Sequence, residues 1–407
     1  MLFLVVSEHL VGLSNLKSDP RLFSELKSKR VSFVAHPASM TGELTHSIDA
    51  LYAAGIKLSS AFGPQHGIYG EKQYNMIETP DLVDPKFHIP IFSLYGQVRQ
   101  PSAEMMKTFY IVLVYLQDVG TRIYTYLTTL FYMLQAAHQH GKEVWVLDRP
   151  NPIGRPVEGS LLTAGFTSFV GCAEGLPMRH GLSLGEFALY FKKKLNLSCD
   201  VKVIKMQNYK MDASPGFGWP EKSWVNPSPN AATLSMARAY PGTVMIEGTH
   251  LSEGRGTTHP LELVGAPDID ADKIVQKMYS LKSSWLEGCK LRTCYFEPTF
   301  YKYKEKVCSG MQIHVDDPSL YHHEKFKPYR LMALWFKALR SIYPNYQIWR
   351  DFHYEYVTDR LAIDVINGGT FLRTWIDDSA ATPEDLDNIF LRDEKIWLEE
   401  RREFLLY

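Results

Sequence analysis

An α/β fold built on a doubly wound, mostly parallel sheet is what this 407-residue sequence predicts. Two observations carry that prediction. Short apolar runs alternate with amphipathic segments through the first 150 residues, the signature of βαβ units. The loops that follow the apolar runs are rich in glycine, proline and polar side chains, as expected where an open sheet presents its functional edge.

Taken in order, "RVSFVA" (30–35) reads as a buried strand, and "THSIDALYAAG" (45–55) as a helix closed by its glycine. "KLSSAF" (57–62) and "IPIFSLYG" (89–96) are the next strands, and "SAEMMKT" (102–108) is a short helix. "FYIVLVYL" (109–116) is the most apolar strand. A long helix over 122–141 with a glycine stop precedes the strand "EVWVLD" (143–148). Beyond residue 200 the pattern turns irregular, with polar loops at 214–230 and 246–260. Helices are expected near 271–286, 325–341 and 382–404, and a strand at 311–317. A domain break is expected in the region 200–240, dividing the chain into 1–220 and 221–407.

Composition excludes several classes. Lys+Arg 44 against Asp+Glu 45 leaves no field for nucleic acid or an anionic membrane. The five cysteines have neither metal nor redox spacing. No Gly-rich dinucleotide or phosphate loop follows a strand, so no cofactor is expected. The histidines His66, His180, His250, His259 and His314 are scattered, and no metal is expected. The start, "MLFLVVSEHL", lacks a basic segment and is too short for a signal peptide or membrane span. The expectation is a cytoplasmic protein, or a periplasmic or secreted one if a leader has been removed. The aromatic content suits stacking on sugars, but core and interface packing is the preferred reading.

Two motifs compete at "GLSLGE" (181–186). G-x-S-x-G would make Ser183 a nucleophile, but that motif needs a preceding strand, and "LPMRH" reads as a poor one. Ser183 stands three residues before Glu186, the spacing of a capping box, and that reading is preferred. Paired carboxylates would suit glycoside hydrolysis. Asp118, Asp148, Glu247 and Glu253 all lie in polar loops, and each also has a structural reading: Asp118 as a cap, Asp148 paired with Arg149 or a turn amide, Glu253 with Arg255.

The loops "FGPQHGIYG", "QDVGTRIYTYLTT", "LDRPNPIGRPVEG", "LPMRHGLSLGE", "WVNPSPN", "YPGTVMIEGTHLSEGRGTT" and "GAPDID" resemble, in order, the signature blocks of the exo-β-N-acetylmuramidase family NamZ. The resemblance runs from about residue 28 to beyond 380. It implies a Rossmann-like domain carrying the catalytic loops, a smaller α+β auxiliary domain closing the cleft, and removal of terminal non-reducing β-N-acetylmuramic acid from peptidoglycan-derived sugars or muropeptides. The family's first loop normally reads "GPEHG", its glutamate being the leading catalytic carboxylate, and here that position is Gln65. Carried over residue by residue, the resemblance implies Gln65, His66, Asp118, Glu247 and Glu253 as catalytic positions. It implies Arg122, Tyr124, Tyr126, Arg149, Asn151, His180, Asn230 and Arg255 as substrate contacts, with Arg122, Arg149 or Arg255 expected to grip the lactyl carboxylate. An amide has no titratable proton near neutrality. Either Glu71, Asp118, Glu247 or Glu253 supplies proton transfer, or the chain binds muropeptides with impaired catalysis.

Overall fold

The computed structural model describes residues 11–74, 76–214, 216–220 and 223–407; the expectation drawn from "MLFLVVSEHL" lies outside them. Seven strands form the main sheet: β1 (Val31–Val34), β2 (Leu58–Gly63), β3 (Leu82–Val83), β4 (Pro90–Ser93), β5 (Ile111–Val114), β6 (Glu143–Leu147) and, once the hairpin β7 (Glu158–Leu161) and β8 (Pro177–Arg179) has been passed, β9 (Val201–Ile204). Their order is β3-β4-β2-β1-β5-β6-β9. All neighbours are parallel except β3 with β4.

The central strands are apolar on both faces because helices cover both. Every residue of β1 and β5 is buried. Phe33, Ile111, Leu113, Trp145 and Leu147 enter one core, and Val34, Val112, Val114, Val144 and Val146 enter the other. From β1 the chain winds outward through β2 and β4, then returns to β5 on the opposite side of β1 and continues to β6 and β9. The crevice at the carboxyl ends of β1 and β5 is therefore the topological switch point, where ligands of open α/β sheets bind.

The strands and helices expected in the first half fall within a few residues of their places, while the helices Gly12–Ser18 and Pro20–Ser28 and the short strand β3 were not anticipated. The long helix is the largest exception: it starts at Tyr126 rather than Arg122, because residues 121–125 form a turn aimed at the crevice. It stops where Gly141 takes a left-handed conformation (φ 58°). "LPMRH" is a strand after all, β8, since Glu158 and Leu161 of β7 supply its backbone partners. Ser183 nonetheless caps the helix Leu184–Lys194, with both halves of the capping box formed. Its hydroxyl also donates to Asp148 at 2.7 Å, and the residue is buried, which leaves no exposed nucleophile.

The irregular second half holds more structure than its sequence suggests. Strands β10 (Leu263–Ala266), β11 (Lys290–Phe296) and β12 (Cys308–His314) make an antiparallel sheet ordered β10-β12-β11. The expected strand at 311–317 is thus β12, three residues earlier. Helices Ala271–Lys282, Pro328–Ile342 and Pro383–Glu400 answer to the three expected ones, while Leu234–Thr243, Ala362–Asn367 and Phe371–Asp377 were not anticipated. Arg330 joins this region to β7, since it bridges Glu394 (2.6 Å) and Asp387 (2.8 Å) while its own backbone amide donates to Glu158. Among the described residues no helix is long and apolar enough to cross a membrane, and no three His, Cys, Asp or Glu side chains converge as a metal site.

Candidate active site

Four chain segments meet at the switch point. The first leaves β2 at Gly63 and turns at once, the Gly67 amide donating to the Pro64 carbonyl (2.9 Å). His66 occupies that turn at φ 72°, a left-handed conformation that costs a non-glycine residue about 1–2 kcal/mol. The turn buries Gln65 and brings His66 Nδ1 within 2.8 Å of the Lys72 carbonyl. Nδ1 must therefore carry the proton, and Nε2 is left as an acceptor. Burial holds the imidazole neutral, its pKa pushed down to about 4, with the Arg255 charge adding to the effect.

The second segment follows β5. Thr125 stands at the N-cap of the helix Tyr126–His140, yet its hydroxyl makes no cap bond. It donates instead to Gln65 Oε1 at 2.7 Å. That fixes the amide: with Oε1 receiving Thr125, Gln65 Nε2 faces outward and donates to Glu355 at 3.0 Å. Tyr124 and Tyr126 follow, edge to face, and present their rings to the same cleft.

The third segment contributes Glu247, Arg255 and Tyr240. Arg255 Nη2 lies 2.5 Å from Glu247, its Nε lies 3.1 Å from Glu253, and Lys302 lies 3.0 Å from the other Glu253 oxygen. This buried chain of alternating charge, Lys302–Glu253–Arg255–Glu247, is electrically balanced. Two nearby cations outweigh burial at Glu253 and hold its carboxyl below the usual range. The two carboxylates hold Arg255 firmly protonated.

The fourth segment is the turn Tyr354–Val357, closed by paired backbone bonds of 3.2 and 3.0 Å. Its two central residues, Glu355 (φ 46°) and Tyr356 (φ 70°), are both left-handed, a two-residue hairpin geometry usually reserved for Asn and Gly. Two non-glycine residues in that region store local strain at a functional site. Three consecutive side chains clasp the crevice. Tyr354 donates to Glu247 (2.8 Å), Glu355 accepts from Gln65 and from Tyr95 (2.7 Å), and Tyr356 donates to Glu78 (3.1 Å).

Burial dominates the chemistry of Glu355. Its carboxyl is pushed up to about 7, even though Gln65 and Tyr95 both stabilise the anion; the charge of Glu247 adds to the rise. The cleft therefore holds a carboxyl group that is substantially protonated at neutral pH, beside Glu247 ion-paired to an arginine. A carboxyl group kept protonated by burial beside a carboxylate paired with an arginine can serve as acid and as anion.

Of the residues expected from the sequence, Gln65, His66, Tyr124, Tyr126, Asn230, Glu247 and Arg255 line this cleft. The others do not line it. Glu253 acts one step behind, through Arg255. Asp118 accepts the Gly120 amide (2.7 Å) and lies 3.3 Å from the buried His180, whose Nδ1 accepts the Leu182 amide. Asn151 is a turn-former, bonded to the Ile153 amide and the Leu182 carbonyl. Arg122 is turned into the core and caps the carbonyls of Ile366 and Asn367. Arg149 lies in a separate hollow. Glu71 is exposed and outside the lining.

Sequence reasoning missed Glu355, Tyr95, Thr125 and Tyr354. "HYEYV" carries neither helical nor strand periodicity. The one faint signal is an acidic residue set between two tyrosines.

An acid and an anion in a tyrosine-walled cleft at the carboxyl edge of a parallel sheet are the equipment of a glycosidase of α/β architecture. The comparisons narrow this. The pattern described as "Exo-beta-N-acetylmuramidase NamZ, N-terminal" matches residues 31–235, and its C-terminal counterpart matches 238–407. The chain belongs to the exo-β-N-acetylmuramidase NamZ family. It is 35% identical over 398 residues to the peptidoglycan β-N-acetylmuramidase NamZ of Bacillus subtilis, covering 97% of this chain and 91% of that one. Crystal structures of two DUF1343 family proteins from Bacteroides fragilis share its fold. One has a TM-score of 0.83 and the other 0.76, each at 26% identity and covering 98% of this chain and 99% of theirs.

Proposed function

We propose that this chain is an exo-β-N-acetylmuramidase that removes terminal non-reducing β-N-acetylmuramic acid from peptidoglycan fragments, with Glu355 as its general acid. Family membership and the activity named for the Bacillus subtilis relative support the reaction class. One observation carries the residue assignment: a buried carboxyl with a pKa near 7, pointed into the cleft and held on both oxygens. General acid catalysis works best when the acid's pKa lies near the working pH, and it contributes ~10²–10⁴-fold.

In this reading Glu355 delivers its proton to the glycosidic oxygen as the bond from that oxygen to the anomeric carbon breaks. The positive charge left on the sugar is met by Glu247 or by the oxygen of the sugar's own N-acetyl group. Water then adds at the anomeric carbon and returns a proton to Glu355. Gln65 has no proton to give and needs none. Its part is to hold Glu355 through its amide N–H, while Thr125 holds the Gln65 carbonyl oxygen.

The test is a product analysis. A peptidoglycan fragment with muramic acid at its non-reducing end should yield free N-acetylmuramic acid, one residue per chain end. Oligosaccharides cut from the interior, or intact fragment bound without turnover, would contradict the proposal.

A further inference from the structure

Arg149 occupies a hollow of its own at the carboxyl edge of β1, β5 and β6. The hollow shares no lining residue with the catalytic cleft. The Arg149 guanidinium lies 4.5 Å over the Tyr115 ring and is braced by two neutral acceptors, the Gln117 amide oxygen (2.8 Å from Nε) and the Ala38 carbonyl (2.7 Å from Nη1). No described carboxylate pairs with it, unlike Arg255, Arg330 or Arg155, each of which has an acidic partner. Among the described residues the lining contains no acidic side chain. The hollow is lined by Trp219, Pro150, Pro220, Thr41 and Gly42, among others. Gln117 also connects it to the cleft: its backbone N–H donates to His36 Nε2 (3.1 Å), and the His36 ring packs edge-on against Tyr126.

A cation fixed by neutral groups, with spare donors and no counter-ion among the described residues, is a site for an external anion. The catalytic cleft is the opposite case, since the cation in it is already taken by two carboxylates. We propose that the Arg149 hollow is a second ligand site, which takes a small carboxylate through the guanidinium and lays its apolar body against Trp219 and Pro150. Two parts of a peptidoglycan ligand carry that chemistry: the lactyl ether of muramic acid and the carboxylate of a peptide stem. Relevance to such a ligand rests on the glycosidase reading; carboxylate binding itself does not, and is measured without any turnover.

The experiment titrates the ¹⁵N-labelled protein with D-lactate and with N-acetyl-D-alanine, following the Trp219 indole signal, assigned by Trp219→Phe. Arg149→Met and Thr41→Asp are titrated alongside the parent. Aspartate at position 41 keeps an acceptor for the Glu43 and Thr45 amides that Thr41 now binds, so this variant reports even if Arg149→Met does not fold. The expected result is saturable binding of one carboxylate by the parent, weakened at least tenfold in both variants. Preference for lactate assigns the hollow to the sugar's ether, and preference for N-acetyl-D-alanine assigns it to the peptide. No binding by the parent, or undiminished binding by Thr41→Asp and by folded Arg149→Met, overturns the proposal.

Discussion

Glu355 accepts a hydrogen bond of 3.0 Å from the side-chain amide of Gln65, a partner 290 residues away in the chain. That bond stabilises the ionised carboxyl and so opposes the burial that raises its pKa. Gln65→Leu should therefore move the basic limb of the activity profile upward by about one pH unit, the worth of one hydrogen bond to a charged group. Turnover below that limb should survive, because the acid itself remains. A pH–rate profile of the variant measures this, and a limb that stays in place would show that the amide does not tune Glu355.

Stability should carry the same signature. Glu355 titrates near 4.5 when unfolded and at about 7 when folded, so its carboxyl binds more protons in the native state between those values. Its contribution is fully present below about pH 4.5, declines as pH rises to 7, and is constant above. Chemical denaturation of the parent and of Glu355→Gln at pH 5 and pH 8 isolates the effect. The parent should lose stability relative to the variant on going from pH 5 to pH 8. Asp148, likewise raised by burial to about 6, contributes equally to both proteins and cancels.

The chain Lys302–Glu253–Arg255–Glu247 is balanced only when complete. Lys302→Met leaves Glu253 buried with one cation in place of two, and the Ile246 and Leu251 carbonyls lose their shared donor. Breaking a buried ion pair on one side costs ~3–5 kcal/mol. Thermal unfolding should register a large fall in Tm. A change within the noise of a surface substitution would mean that the network is not held as described.

Ser183→Ala should leave hydrolysis almost unchanged and cost about 1–2 kcal/mol, because it removes both a helix cap and a buried bond to Asp148. Urea denaturation gives the cost. Covalent labelling of Ser183 by an organophosphonate would revive the esterase reading.

The sequence made the sheet legible where strands are buried on both faces. "IVLV" is apolar at every position and "VSFV" at all but Ser32, whose hydroxyl donates to the Ser60 carbonyl, because helices cover both strands from both sides. It failed at β7 and β8, whose short runs "EGSL" and "PMR" are held by partners distant in the chain, including Glu394 and Asp393 on the helix Pro383–Glu400. The same division runs through the site. Gln65, His66, Tyr124 and Tyr126 were legible because the loops after β2 and β5 resemble blocks of the NamZ family and lie at the carboxyl edge of the sheet. Arg122 lies in one of those loops but turns the other way, and nothing in "QDVGTR" marks the Ile366 and Asn367 carbonyls waiting for it. Glu355 depends on a turn with two left-handed residues, neither of them glycine or asparagine, so no turn signal announced it.

The central claim is that Glu355 is the proton donor. It is tested most directly by the pH dependence of kcat/KM on a chromogenic β-N-acetylmuraminide with a poor leaving group, for the parent and for Glu355→Gln. The prediction is a basic limb near pH 7 in the parent and a loss of ~10²-fold or more in the variant. A Glu355→Gln protein that keeps the parent's rate and the parent's limb would contradict it.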